Sequence, residues 1–291
     1  MICGAMTEEA VGTVPGFPPA LPPLREVIAR HGLEARKALG QHFLLDPHLM
    51  ARIVREAGPM QGRTAIEIGP GPGGLTRALL ETAVERVVAI ELDHRAIPAL
   101  EELAGFYPDR LTVLEADAMR VDLGTLTTAP RRIVANLPYN VGTPLLVGWL
   151  RQAALFESMT LMFQQEVAER ICAAPGSDAY GRLGVLAQWT CRVDMLMSVP
   201  PGAFHPPPKV YSSVAALWPR EAQPSPALFT AMERVTAAAF GQRRKMLRGA
   251  LKSLGGEALL SRAGIAGDRR AETLTIEEFD RLARTSLGGD Q

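Results

Sequence analysis

Between residues 64 and 163 the chain alternates short β-branched, apolar runs with longer stretches whose apolar positions recur at helical spacing. Short apolar runs bounded by turn residues read as buried strands, and the 3.6-residue recurrence reads as helices burying one face. The predicted strands are Thr64 to Ile68, Arg86 to Ile90, Leu111 to Glu115, Arg132 to Ala135 and Met159 to Phe163. Strands alternating with helices predict βαβ units and a parallel sheet, hence an α/β fold. Two further strands are expected near Val193 to Val199 and Ser212 to Trp218, separated by the proline-rich run from Pro200 to Lys209. Ahead of the alternation, Leu24 opens a stretch of helical spacing, and Asp46 followed by Pro47 reads as an N-cap with proline at the first helical position.

After Pro219 the pattern is purely helical: Pro226 to Phe240, a run around Arg243 to Leu254, Glu257 to Ala263, and Ile276 to Ala283 with a Thr275 cap and Glu278 at the capping-box position. The expected organisation is therefore an α/β domain over residues 25–219 and a small all-α domain over residues 220–291. Residues 1–24 hold five prolines between Pro15 and Pro23 and read as a flexible tail.

Composition changes this picture in a few respects. With 291 residues, 47% hydrophobic and 21% charged, the chain can bury a real core. Lys plus Arg and Asp plus Glu both total 31, which excludes a uniformly basic nucleic-acid binder and makes any basic surface local. The three cysteines, Cys3, Cys172 and Cys191, are odd in number and far apart, which argues against a disulfide framework and fits a reducing cytosol. The five histidines show no ligand spacing, so no metal is expected. No apolar run reaches membrane-helix length, and the first 24 residues carry Glu8 and Glu9 but no Lys or Arg. A cytoplasmic protein without a targeting segment or membrane association is expected.

The first chemical signal is the run Ile68-Gly69-Pro70-Gly71-Pro72-Gly73-Gly74, which joins the first strand to a helix. Glycines there permit positive φ and let a ligand approach the backbone, at the carboxyl end of a parallel strand where ligands bind. Glu91 follows at the end of the second strand, where an acidic residue accepts from ribose hydroxyls. This pair suits NAD and S-adenosylmethionine equally. Asp117, just after the third strand, can accept from an adenine amine.

The fourth strand runs into Asn136-Leu137-Pro138-Tyr139 at the same sheet edge. An exocyclic amine on a nucleobase is a poor nucleophile because its lone pair is delocalised into the ring. Two acceptors on its N–H groups help to localise that pair. Asn136 offers a side-chain oxygen, Leu137 offers a carbonyl whose direction Pro138 restricts, and Tyr139 can stack on the base.

With these residues in view, the chain resembles the ribosomal RNA adenine dimethyltransferase family. The resemblance rests on Leu39-Gly-Gln-His-Phe-Leu44, Glu67-Ile-Gly-Pro-Gly71, Glu91-Leu-Asp93, Asp117-Ala-Met119, Asn136-Leu-Pro-Tyr139, Tyr180-Gly-Arg-Leu183, Val199-Pro-Pro-Gly-Ala-Phe204, Pro207-Pro-Lys-Val210 and Phe240-Gly-Gln-Arg-Arg-Lys245, covering nearly everything after the tail. It looks closest to the bacterial small-subunit branch. The resemblance implies a Rossmann-like class I S-adenosylmethionine-dependent methyltransferase, with a seven-stranded, mostly parallel sheet and one antiparallel strand. It implies dimethylation of the N6 of two adjacent adenosines in the 3′-terminal hairpin loop of 16S rRNA, on a monomer acting on a pre-30S particle. By the same resemblance His42, Leu44, Gly69, Glu91, Asp117 and Asn136 hold S-adenosylmethionine, together with the turn at Gly71. His42 departs from the family, which usually has Asn there. Tyr139 and Phe204 would sandwich the target adenine.

Arg243, Arg244, Lys245, Arg248 and Lys252 lie within ten residues without an acidic neighbour, and Arg244, Arg248 and Lys252 would share a helix face. We read this stripe as a phosphate-binding, RNA-facing surface. Residues 220–291 carry 12 basic and 9 acidic residues, so the basic surplus sits there. The competing readings are a dinucleotide-dependent oxidoreductase, which has no use for Asn136 to Tyr139, a non-catalytic ribosome-assembly or transcription factor on the same scaffold, and a large-subunit rRNA methyltransferase.

Overall fold

Thr64–Ile68 carries one charge, Glu67, among otherwise uncharged residues, and all five are buried, as a strand covered on both faces requires. It is β2 in chain order, after the two-residue β1, Phe43–Leu44. Around it a computed structural model describes residues 21–36, 40–128, 130–242 and 244–288. The remaining strands are β3 (Arg86–Glu91), β4 (Leu111–Glu115), β5 (Arg131–Asn136), β6 (Ser158–Gln164), β7 (Cys191–Val199), β8 (Phe204–His205) and β9 (Ser212–Pro219). The helices are α1 (Leu24–Arg30), α2 (Pro47–Glu56), α3 (Gly74–Leu80), α4 (Ile97–Phe106), α5 (Leu123–Leu126), α6 (Gly142–Leu150), α7 (Gln165–Cys172), α8 (Arg182–Thr190), α9 (Pro226–Gly241), α10 (Leu247–Ala250), α11 (Gly256–Ala263) and α12 (Ile276–Leu287).

Seven strands form one sheet in the order β4-β3-β2-β5-β6-β9-β7. β2, β3, β4, β5 and β6 pair in parallel, while β9 runs antiparallel to both β6 and β7. This is the mostly parallel α/β sheet with one antiparallel strand expected above. The chain winds outward from β2 through β3 to β4, then returns to β5 on the other side of β2. The carboxyl ends of β2 and β5 therefore flank a topological switch point, where open α/β sheets form a ligand crevice.

The expected helix starts carry the expected caps. Asp46 accepts from the backbone of His48 and Leu49 ahead of Pro47, and Thr275 with Glu278 forms a reciprocal capping box. Each such cap is worth about 1 kcal/mol. The other long helices form where the periodicity places them, with ends within a few residues of expectation. The run around Arg243 to Leu254 differs. Only Leu247–Ala250 is α-helical, Arg244 and Lys245 lie in a turn, and Lys252–Leu254 is a separate 3-10 turn. Gly249 weakens helix within this stretch, Gly255 and Gly256 end it, and like charges four residues apart oppose it further.

The boundary expected after Trp218 and Pro219 coincides with the end of β9, yet the apolar core continues across it. One cluster contains Ile66, Ile133 and Leu161 of the sheet, Val185 of α8, Phe229 of α9, Leu260 of α11 and Phe279 of α12. The Trp189 ring of α8 lies 5.9 Å from that of Phe229, tilted by 38°, and its indole N–H donates to Asp280 at 3.0 Å. The other sheet face packs with α2 and α3 in a second cluster. Of the expected tail, residues 1–20 lie outside the described residues. Its last residues are held: Leu21 and Leu24 pack against that second cluster, and Arg77 donates to the Pro22 carbonyl at 2.6 Å. Among the described residues, no helix is long and apolar enough to cross a membrane.

Candidate active site

The glycine turn after β2 adopts the backbone that its composition allows. Gly69, Gly71 and Gly73 have φ of 66°, 55° and 83°. A Cβ on Gly71 would lie 3.2 Å from the Phe43 ring, and one on Gly69 would lie 3.4 Å from Pro138. The turn is thus clamped between β1 and the segment after β5. Gly71 N–H donates to Glu91 Oε2 at 2.9 Å, and Asp93 N–H donates to Glu91 Oε1 at 2.8 Å. These bonds pin the Glu91 carboxyl at the edge of the cleft and leave each oxygen able to accept once more. Burial raises its pKa, an effect that the two backbone N–H groups oppose.

One cleft runs along this edge. It is lined by His42, Leu44, Gly69, Gly71, Glu91, Asp117, Asn136, Leu137, Pro138 and Tyr139, which include every cofactor-binding residue expected from the sequence. Asp117 accepts from Met119 N–H at 3.0 Å and faces Arg120 at 3.5 Å, so its turn is set by its own side chain. Glu67 also lines the cleft and is buried, with Oε2 lacking a hydrogen-bond partner among the described residues. Burial pushes its carboxyl up to about 8, with nearby Thr76 opposing and Glu91 adding to the rise.

Asn136 ends β5, and its Nδ2 donates to the His42 carbonyl at 3.2 Å. That bond commits the nitrogen end of the amide, so the oxygen end remains to accept. The Tyr139 hydroxyl lies 2.6 Å from Ser212 Oγ at the start of β9, and its ring is half-buried. The His42 ring lies 5.2 Å from the Tyr139 ring at 33°, and its Nδ1 donates to the Pro206 carbonyl at 2.8 Å. His42 therefore touches three parts of the site: Asn136 through its carbonyl, Tyr139 through its ring and the proline loop through Nδ1.

Phe204 requires a correction. It does not line the cleft, and its ring is 4% exposed within the cluster that contains Leu44, Val199 and Val214. β8 pairs with β1, Leu44 opposite Phe204, and in this structure Phe204 packs within that apolar cluster. The cationic stripe requires another. Arg244, Lys245, Arg248 and Lys252 are exposed and form no ion pair among the described residues, but the broken helix removes their common face. Arg243 lies outside the described residues.

Three further residues shape the site without having been singled out for it. Glu67 was visible as the one charge in an otherwise uncharged central strand. Asp93 accepts from Gln41 at 3.0 Å and from Arg95 at 2.5 Å, tying the loop before β1 to the end of β3. Burial alone would raise its carboxyl, but the bonds from Arg95 and Gln41 outweigh this and hold it at about 2. Ser212 had no local signal, because its partner Tyr139 is 73 residues away.

The chain is similar to known proteins over most of its length. The family profile described as Ribosomal RNA adenine dimethylase matches residues 32–286. The Ribosomal RNA small subunit methyltransferase A of Gluconobacter oxydans is 63% identical over 268 residues, 92% of this chain and 88% of that protein. Its namesake from Sinorhizobium medicae is 60% identical, covering 90% and 97%. Among solved structures, a dimethyladenosine transferase from Plasmodium falciparum is similar at a TM-score of 0.69 and 26% identity, covering 83% of this chain and 96% of that one. The 23S rRNA methyltransferase ErmE is similar at 0.62 and 27%, covering 86% and 100%.

Proposed function

The chain belongs to the ribosomal RNA adenine dimethylase family, and on that premise we propose that it dimethylates the N6 of two adjacent adenosines in the 3′-terminal hairpin loop of 16S rRNA. It is a class I S-adenosylmethionine-dependent rRNA adenine dimethyltransferase. Its place of action in this reading is the cytoplasm, on a pre-30S particle, as a monomer and without a metal. The small-subunit relatives, at 60% identity and above, favour this substrate over large-subunit RNA.

The cleft suits the methyl donor on its own features. It is lined by the backbone of Gly69 and Gly71, and it offers spare acceptor capacity on Glu91 and, on the buried Glu67, an Oε2 without a hydrogen-bond partner among the described residues. His42, Leu44, Gly69, Gly71, Glu91, Asp117 and Asn136 would hold the donor. When bound, S-adenosylmethionine supplies a methyl group on a positively charged sulfur. Asn136 Oδ1 and the Leu137 carbonyl accept the two N–H groups of the adenine amine and draw its lone pair out of the ring. Tyr139 supports the base from one face, a contact worth about 1–3 kcal/mol. Alignment of amine and methyl contributes more, roughly 7–11 kcal/mol when the geometry is right. The alkylated amine is strongly acidic and gives its proton to water, so no general base is needed.

The observation that carries this reading is the Asn136 amide, whose nitrogen is committed to His42 and whose oxygen is left to accept. Mass spectrometry of unmethylated small-subunit particles incubated with the protein and S-adenosylmethionine tests it. Two neighbouring dimethylated adenosines are expected; methylation elsewhere, or none, contradicts the reading.

A further inference from the structure

The proline loop ends at the cleft in a short exposed segment that the mechanism above leaves unused. Pro206 is held at its carbonyl by His42, and two more prolines precede Lys209, Val210 and Tyr211. Proline fixes φ, so the approach to Tyr211 has little conformational freedom to lose. The Tyr211 carbonyl accepts from Gln165 N–H at 2.9 Å, which fixes its backbone against the start of α7. The next residue, Ser212, places its hydroxyl on Tyr139. Because β9 runs antiparallel to β6, with Ser212 opposite Gln164, Tyr211 lies just beyond the carboxyl edge at which the cleft opens.

Successive side chains along a strand turn to opposite sides. Ser212 turns inward, and Tyr211 is carried outward, 51% exposed beside Val210 at 46%. Single exposed apolar residues are common on protein surfaces, but a consecutive pair beside a cleft marks a contact surface. Tyrosine is a rigid contact residue with little side-chain entropy to lose. Lys209, two residues before it, is exposed and makes no ion pair among the described residues. An aromatic face beside an uncommitted cation, on a stiff loop, matches one nucleotide: a base for the ring and a phosphate for the ammonium.

We infer that Tyr211 and Lys209 form a second platform, outside the cleft, that holds a nucleotide flanking the target adenosine while the target itself enters against Tyr139. This inference rests on the RNA reading above and adds to it a determinant of where the strand is gripped. It separates two tasks: Tyr139 supports the base that reacts, and Tyr211 fixes the neighbour so that the backbone between them is stretched across the cleft mouth.

The test uses the full chain and an RNA hairpin whose loop carries two adjacent adenosines. Tyr211→Ala is expected to weaken hairpin binding roughly 5- to 150-fold, the range of one base stack. Tyr211→Phe keeps the ring and restores affinity to near wild type, and the donor dissociation constant is unchanged in both. The indole of Tyr211→Trp is quenched when the hairpin is added, beyond any change in the wild-type protein. Lys209→Gln lowers the slope of log affinity against log salt by about 0.7, one single-strand phosphate. Tyr211→Ala binding as tight as wild type, an unquenched indole or an unchanged salt slope overturns the platform. Methyl transfer to small-subunit particles by the wild-type protein is measured alongside. Its absence defeats the RNA reading itself, whereas transfer together with wild-type binding by Tyr211→Ala defeats the platform alone.

Discussion

Two carboxyls at the cleft have opposite electrostatic fates, and each predicts a pH response. Glu67 is raised by burial to about 8, so the folded protein binds that proton more tightly than the unfolded chain does. Its contribution is fully present below the ordinary carboxylate value of 4.5 and is lost as pH rises toward about 8. Glu67→Gln removes the ionisation at nearly constant shape. We expect the variant to melt higher than wild type at pH 8 and to show no such advantage near pH 4.5, in thermal unfolding followed across that range. Asp93 works the other way: its stabilisation exists above 3.8 and is lost as pH falls through about 2. At this scale the sequence was most informative where a residue type has few jobs. Asn136, Glu91 and Asp117 could be read as candidates because an amide or carboxylate at the carboxyl end of a parallel strand stands at the crevice where such sheets bind ligands. Phe204 was harder to place because an aromatic residue serves apolar packing as readily as base stacking, and here it is buried opposite Leu44.

The element that organises the cleft is the small ribbon of β1 and β8, which joins the loop of His42 to the loop of Pro206. Two-residue strands have no periodicity to detect, so this ribbon could not be read from the chain, whereas the long buried strands and capped helices could. The same limit applies around α10, where a plausible helical spacing hid Gly249, the glycines that flank the run and mutual charge repulsion. Gly71 is the sensitive point of the arrangement. Alanine there must adopt φ of 55° and crowd the Phe43 ring at 3.2 Å. We expect Gly71→Ala to lose about 1–2 kcal/mol from the left-handed backbone alone, measured by denaturant unfolding, and to weaken donor binding in calorimetry. Gly148 provides the contrast, since it lies in α6 with no atom near its absent Cβ. Gly148→Ala should stabilise the protein by about 0.5–1 kcal/mol and leave donor affinity unchanged.

At the scale of the whole molecule, a chain with no net charge can present a basic surface only locally. The C-terminal helices share the sheet's apolar core, so the exposed cations near α10 are carried on a body continuous with the cleft rather than on a tethered module. Reversing two of them, Arg248→Glu with Lys252→Glu, is expected to raise the KM for small-subunit particles and flatten its salt dependence by about 0.7–0.9 per lost phosphate contact. The donor dissociation constant and the melting temperature should stay at wild-type values. Net charge carries no trace of such a surface, and only the local count over residues 220–291 points to it. The central claim, however, concerns a single amide. Single-turnover methyl transfer to unmethylated small-subunit particles, with Asn136→Ala at saturating donor and RNA, tests it most directly. Loss of one acceptor that acts on the reacting amine predicts a rate lower by roughly 10²–10³-fold; a wild-type rate would contradict the account.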